Sequence, residues 1–331
     1  MVDGHGHSLD LAFHRGRHLD ESLDGTTDIP MLRAGGVTLQ LTATWTPDGH
    51  LSGPHDHSVD NPLLAALRML DYLHTELEGH AGQSVLLVRS AADIDRAKAE
   101  GKVALLVGME GTDALADDLA VLRSFHRLGL RHVCLVHERR NAYGTSTQVS
   151  LDGNWRRYDP ALDPPGVFTD AGRELIAECE RLGILVDLTH LVEDAFYPAL
   201  AATTRPVIVS HAGARAITDT PRYLSDRQVI AVAHGGGVVC ASPSPLGPTD
   251  EMPGLGMLLA AIDHFVGLVG PDHVGVGTDF KDQFGYYPEP FTDSSRTAVV
   301  VEALLAHGYA TDAVERIMGG SVLRVIRSAI G

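Results

Sequence analysis

Short apolar runs alternate along the chain with longer stretches of helical periodicity. Val37–Trp45, Val103–Glu110, His132–His137, Ile184–His190, Pro206–His211, Gly237–Ser242 and Val274–Asp279 read as strands, and Met1–His7 as a shorter, glycine-interrupted one. Most are near-continuous Val, Leu and Ile, the composition of parallel strands covered on both faces. Between them Pro62–Glu78, Leu115–Leu128, Thr169–Leu182, Ser225–His234, Met257–Val269 and Ser294–His307 place apolar residues at helical spacing, and Thr311–Ile330 closes the chain as one more helix. Thr169 or Asp170, Ser225 and Thr311 stand where N-caps belong. Two stretches read as long loops, Thr46–Asn61 and Asn141–Val167, the second carrying Trp155.

Eight strands alternating with helices predict an α/β fold, a (β/α)8 TIM barrel, as a single domain over residues 1–331. The other arrangement of such elements is an open doubly wound sheet. That fold normally carries a glycine-rich phosphate loop after its first strand, and here the first strand runs into His5-Gly6-His7.

The polar residues fall at the strand ends. The first strand ends in His5 and His7, the third in Glu110, the fourth in His137, the fifth in His190, the sixth in His211 and the eighth in Asp279. In a barrel these ends converge on one face, where active sites lie. Residues two apart on a strand point the same way, so His5 and His7 can share a metal. A single histidine at a strand end is most simply a hydrogen-bonded structural residue. Six of eight strands ending in ligand-type residues is a different matter, and it predicts a joint metal and catalytic site. The set offers imidazole nitrogens and carboxylate oxygens without thiolates, which suits zinc or another first-row divalent ion in a catalytic site. The remaining histidines, including His55 and His57, lie in loop-like or helical sequence and read as solvated.

Charge narrows the partners. Acidic residues exceed basic ones, 43 against 26, for a net charge of −17. A field of that sign repels phosphate backbones and anionic lipid, so no nucleic-acid and no membrane partner is expected. No apolar run approaches the roughly 20 residues that span a bilayer. The three cysteines, Cys134, Cys179 and Cys240, are far apart and form no CxxC pair. They read as reduced thiols, and with an N-terminus lacking a basic, apolar leader they predict a cytoplasmic protein.

The same residues sit in motifs that resemble the membrane (renal) dipeptidase family, peptidase family M19, among the amidohydrolase-like metal-dependent hydrolases. The motifs are Asp3-Gly4-His5, Gly108-Met109-Glu110-Gly111, Leu135-Val136-His137 through Asn141, Leu182 to His190, Ser210-His211 with Ala214-Arg215 and Pro221-Arg222, Gly275 to Phe280, and Gly319 to Val325. The resemblance runs almost end to end. It implies a zinc-dependent dipeptidase with two ions per chain and a small-molecule or dipeptide substrate, and homodimerisation. His5 and His7 would hold one ion and His190 and His211 the other, with Glu110 bridging. Asp279 would be the general acid and base, His137 would contact substrate and stabilise the tetrahedral intermediate, and Arg222, with Tyr223 beside it, would grip the terminal carboxylate. Coordination lowers the pKa of water to about 7, and a guanidinium pairs with a carboxylate as a bidentate fork.

Three positions depart from the family pattern. Strand 1 carries His5-Gly6-His7 where the family has His-x-Asp, which removes a negative charge beside the metal. Tyr223 replaces an asparagine after Pro221-Arg222. Strand 7 leads into Cys240-Ala241-Ser242-Pro243-Ser244-Pro245, without an aromatic residue. These keep two alternatives open: an amidohydrolase acting on another small molecule (a lactone, a cyclic amide or a modified amino acid), and a binding protein without turnover.

Overall fold

The computed structural model describes residues 1–45, 61–151, 154–244, 254–281 and 287–331. Eight of its strands form the barrel in the order β1 (Val2–Gly6), β2 (Leu39–Trp45), β4 (Val103–Glu110), β5 (His132–Cys134), β8 (Leu185–Asp187), β9 (Ile208–Ala212), β10 (Val238–Ala241) and β11 (Val274–Val276), every neighbouring pair parallel. The ring closes where Gly6 bridges Phe280 and the Asp279 amide donates to the His5 carbonyl at 3.0 Å. The sequence expectation of a (β/α)8 barrel is therefore met. A ninth strand, β3 (Val85–Leu87), pairs with the start of β4 in line with β5.

Alternation along β4 shows how the barrel is filled. Ala104 and Leu106 belong to an apolar cluster with Leu39, Leu41, Leu185, Ile208 and Val238, whereas Val103, Leu105, Val107 and Met109 pack into the larger cluster beneath the helices. The two-residue period of a strand then turns Glu110 inward with Ala104 and Leu106. The inner cluster also holds Val322, Val325, Ile326 and Ala329 of α12 (Ser321–Ile330), so this last helix plugs the barrel at the end opposite Glu110. Burial of these aliphatic side chains contributes roughly 1.5–3 kcal/mol each.

The helical periodicity marks α3 (Pro62–Glu78), α5 (Leu119–Leu128), α6 (Asp170–Leu182), α8 (Asp226–His234), α9 (Leu255–Val269) and α10 (Thr297–Ala306) within a few residues of their ends. Thr169 caps α6 by accepting from the Gly172 amide at 3.0 Å, and Ser225 closes a capping box on α8 with Gln228. The expected single helix over 311–330 is broken into α11 (Thr311–Glu315) and α12 by a wide turn over 316–320. Gly319 causes the break: its φ is 153°, and a Cβ there would lie 2.9 Å from the Val2 amide nitrogen.

Four helices have no counterpart in the sequence reading: α1 (Ser8–His14), α2 (Ile29–Ala34), α4 (Ala91–Glu100) and α7 (Glu193–Ala202). The first two are only 7 and 6 residues long. α4 buries just Ile94 and Ala97, and α7 contains Pro198, so neither displays a strong apolar stripe. The stretch 141–167 is not a plain loop. It contains a hairpin of β6 (Gln148–Leu151) and β7 (Asn154–Arg157), with Trp155 opposite Ser150. The segment 46–60, with His50, His55 and His57, lies outside the described residues, as does Pro245. Among the described residues, no helix is long and apolar enough to cross a membrane.

Candidate metal centre

His5, His7, Glu110, His137, His190, His211 and Asp279 are all buried at the C-terminal mouth of the barrel, and they meet there. One carboxylate oxygen, Glu110 Oε1, is the hub. His190 Nε2 lies 3.1 Å from it, His5 Nε2 3.4 Å, and His137 Nε2 and His211 Nε2 each 3.6 Å. A second carboxylate, Asp279, places Oδ1 at 3.1 Å from His7 Nε2 and 3.8 Å from His5 Nε2. Three overlapping groups, His5–His7–Glu110, His5–His211–Asp279 and Glu110–His190–His211, each bring their ligand atoms within 4.8 Å of one another. The structure thus brings together all seven of the residues that the sequence places at the strand ends.

Simple alternation would not have achieved this. Val2 and Ile208 both point into the barrel, so a regular strand would turn His5 and His211 outward. Both strands are irregular at the needed place. Between Asp3 and Gly6, β1 advances three residues while β2 advances two, from Gln40 to Thr42. Between Val209 and Ala212, β9 likewise advances three while β10 advances two. Each is a bulge, and each re-aims one histidine into the mouth.

Other residues reach the site from beyond the strands. His7 is the residue before α1, with φ −118°. His137, His190 and Asp279 each lie three residues after β5, β8 and β11 end. His190 and Asp279 adopt φ of 70° and 51°, a left-handed conformation uncommon for residues with a Cβ and concentrated at functional sites. The hairpin-bearing insert steadies two of them. The Ser146 hydroxyl donates to the His137 carbonyl, and the Thr147 amide donates to the His190 carbonyl at 2.7 Å. Gly111, at φ 82°, lets the chain turn directly after Glu110; a Cβ there would sit 2.9 Å from His137 Cβ.

The electrostatics separate the groups. Burial opposes the charge on Glu110, but His137, His5 and His190 outweigh it and hold its carboxyl well below the usual range. Burial likewise opposes the charge on Asp279, yet Lys281, whose Nζ lies 3.4 Å from Oδ1, and His7 keep it ionised. Burial depresses His190, His211 and His137, so these imidazoles are neutral and hold a lone pair. Burial would depress His7 too, but the Asp10 and Asp279 carboxylates raise it to about 10.

Several buried polar atoms at the mouth have no hydrogen-bond partner among the described residues: His5 Nε2, Glu110 Oε2, Asp279 Oδ2, His190 Nδ1 and Arg222 Nε. Orphaned buried polar atoms are costly and uncommon in folded proteins. Their concentration beside neutral imidazoles and ionised carboxylates fits a centre built for divalent cations and a polar substrate.

Arg222 is buried, with Nη2 donating to the His211 carbonyl at 3.2 Å, so its guanidinium stands next to the cluster. Tyr223 is placed differently. Its ring lies against the backbone of Gly213 and its hydroxyl points toward Met257 Sδ, 3.9 Å away. Lys281 and Asp10 were not singled out from the sequence. Lys281 stands two residues after Asp279, a spacing that by itself suggests a shared direction. Asp10 gave no such signal, because α1 was not recognised.

Comparison with known proteins gives the same answer as the geometry. The sequence matches the family Membrane dipeptidase (Peptidase family M19) over residues 1–330, and the chain belongs to that family. A Claviceps purpurea protein, Dipeptidase tcpJ, is 34% identical over 244 residues, 73% of this chain and 54% of that protein, so the match spans about half the relative's length. Dipeptidase verJ of Clonostachys rogersoniana is 28% identical, over 91% of this chain and 75% of its own. Two solved structures superpose with a TM-score of 0.85. One is a dipeptidase described as a metallopeptidase of family M19, 27% identical and covering 100% of this chain and 98% of its own. The other is a Rhodobacter sphaeroides metallopeptidase liganded with a phosphinate mimic of the dipeptide L-Ala-D-Ala, 26% identical and covering 99% and 98%.

Proposed function

We propose that this member of the membrane dipeptidase family hydrolyses the amide bond of small dipeptides with two divalent metal ions, zinc by the chemistry of the donors. The observation that carries the reading is the meeting of His5, His190 and His211 around one Glu110 oxygen, at 3.4, 3.1 and 3.6 Å, where Glu110 Oε2 and Asp279 Oδ2 have no hydrogen-bond partner among the described residues. The ligand in the Rhodobacter relative, a dipeptide mimic, supports the substrate class.

His5 and His7 would hold one ion, His190 and His211 the other, and Glu110 both. Ions held there supply Lewis acidity that activates water and polarises a carbonyl. The protein's own groups do the rest. Asp279 is ionised, and its Oδ2 has no hydrogen-bond partner among the described residues, so it can take a proton from attacking water and return it to the leaving amine. His137 is held neutral by burial, and its N–H can donate to the carbonyl oxygen as negative charge develops there. Arg222 offers a buried guanidinium, with Nε unpaired, to the substrate's terminal carboxylate. Lys281 beside Asp279 opposes that carboxylate's return to the neutral acid and so keeps it a base at rest.

The three cysteines are buried and unpaired, which supports the further proposal that the chain works in a reducing, cytoplasmic compartment.

The test is elemental analysis of the purified protein, followed by chelation and reconstitution with Zn²⁺. Activity is assayed on L,L- and L,D-dipeptides beside lactones and N-acyl amino acids. Dipeptide hydrolysis that disappears on chelation and returns with zinc is expected. Turnover confined to lactones or N-acyl amino acids would move the reading to another small-molecule amidohydrolase, and dipeptide hydrolysis indifferent to chelation would end it.

A further inference from the structure

We propose that Asp10 is a positioning residue for His7: it fixes the imidazole so that Nδ1 carries the proton and Nε2 faces the metal centre with its lone pair. The inference rests on the metal-hydrolase reading above and deepens it.

The geometry is local and complete. His7 Nε2 belongs to the cluster at the barrel mouth, 3.1 Å from Asp279 Oδ1. The opposite ring nitrogen, Nδ1, sits between the two oxygens of Asp10, 3.2 Å from Oδ1 and 3.3 Å from Oδ2. His7 is the residue before α1 and Asp10 is the third residue of that helix, so one turn carries the ligand and its backing carboxylate together. Both are buried, at 0% and 2% exposure, which removes water as a competing partner for either.

A neutral imidazole carries one proton on either nitrogen and can bind a cation only through the bare one. With a carboxylate at each ring nitrogen the metal-free His7 holds both protons; a cation entering the site displaces the one on Nε2, and the tautomer that kept its proton there could not be a ligand. A buried carboxylate against Nδ1 decides the choice. It also adds negative charge behind an otherwise neutral donor, which raises the basicity of Nε2. His211 shows the weaker form of the same device, its Nδ1 backed by the neutral Ser210 hydroxyl at 3.0 Å.

A purely structural role would be different in kind. An acid in the first turn favours a helix through its dipole, by roughly 0.3–1 kcal/mol, and its removal would lower stability without touching metal affinity.

The experiment measures zinc affinity of the full chain by competition with a chelator of known affinity, together with the metal-to-protein ratio and the melting temperature of the stripped protein. Asp10→Asn keeps an acceptor and removes the charge; Asp10→Ala removes both. Both are expected to weaken one ion's binding, by about 10- to 100-fold, with alanine the worse. In a His7→Asp background there is no tautomer to fix, so adding Asp10→Asn is expected to change zinc affinity by less than about twofold. Wild-type-like zinc affinity in Asp10→Ala, or an undiminished effect of Asp10→Asn in the His7→Asp background, would overturn the inference while leaving the metal-hydrolase reading intact. A wild-type protein that binds no divalent ion would defeat that reading itself.

Discussion

Two buried polar clusters lie one above the other inside the barrel, and they are built in opposite ways. The lower one consists of His132, Asp187, Thr189 and Ser210. Asp187 Oδ2 pairs with His132 Nε2 at 2.9 Å, while Oδ1 accepts from the Thr189 amide at 2.9 Å and from its hydroxyl at 2.5 Å. The Ser210 amide donates to Thr189 Oγ1 at 2.9 Å. The upper cluster, at the mouth, leaves His5 Nε2, Glu110 Oε2 and Asp279 Oδ2 without hydrogen-bond partners among the described residues, and holds His190 and Asp279 at left-handed backbone angles. Both clusters are out of contact with water. The lower one therefore contributes to the fold through its completed hydrogen bonds, and the upper one carries strain and unmet bonding capacity that a ligand would satisfy. Residue type alone does not separate the two, since each contains a histidine and a carboxylate. Completeness of hydrogen bonding does.

The contrast can be broken at its strongest point by Glu110→Gln. The amide keeps the shape and removes the charge around which four imidazoles gather. A loss of about 1,000-fold or more in kcat/KM is expected, equivalent to roughly 4 kcal/mol, together with loss of bound metal. The melting temperature of the stripped protein should fall less than in the next variant. Asp187→Ala is the converse. It leaves His132, Thr189 and Ser210 facing an empty buried site and should destabilise the stripped protein by about 3–5 kcal/mol in denaturant unfolding. A cost below about 1 kcal/mol would show that the lower cluster is not structural.

The smallest effect is a pH dependence. His7 is raised to about 10 in the folded chain, above its unfolded value of about 6.5. Its contribution to stability is fully present below about pH 6.5 and declines as pH rises toward 10, with a slope of at most about 1.4 kcal/mol per pH unit. Unfolding of the metal-free protein across that range should show the decline, and His7→Gln should flatten it. A wild-type profile as flat as the variant's would mean that Asp10 and Asp279 do not hold a proton on His7.

The legible part of this architecture was the part that is periodic. Val103–Glu110 could be read as a strand to both its ends because it is eight residues of unbroken buried sequence. Glu110, in phase with Ala104 and Leu106, could be read as facing inward for the same reason. Elements that bury little or are very short were not legible. α4 offers only Ile94 and Ala97 to the core, although Ser90 and Asp93 form a capping box that was a usable signal. The hairpin over 148–157 was hidden in a stretch whose prolines and glycines read as loop. Asp10 was passed over because its meaning depends on a 7-residue helix starting directly after His7. The packing of the Tyr223 ring on Gly213 is a contact that no local period in the sequence encodes.

What the sequence determined by itself was the alternation of apolar strands with amphipathic helices and the imidazoles and carboxylates standing at the strand ends, because burial and donor chemistry are properties of residue types and their spacing. What only the tertiary structure decided was which way those side chains point. His5 and His211 lie on strands whose regular pleat would have faced them outward, and a single extra residue in each strand turns them inward. A strand's own sequence carries its period, but a bulge is defined only against the neighbour it pairs with.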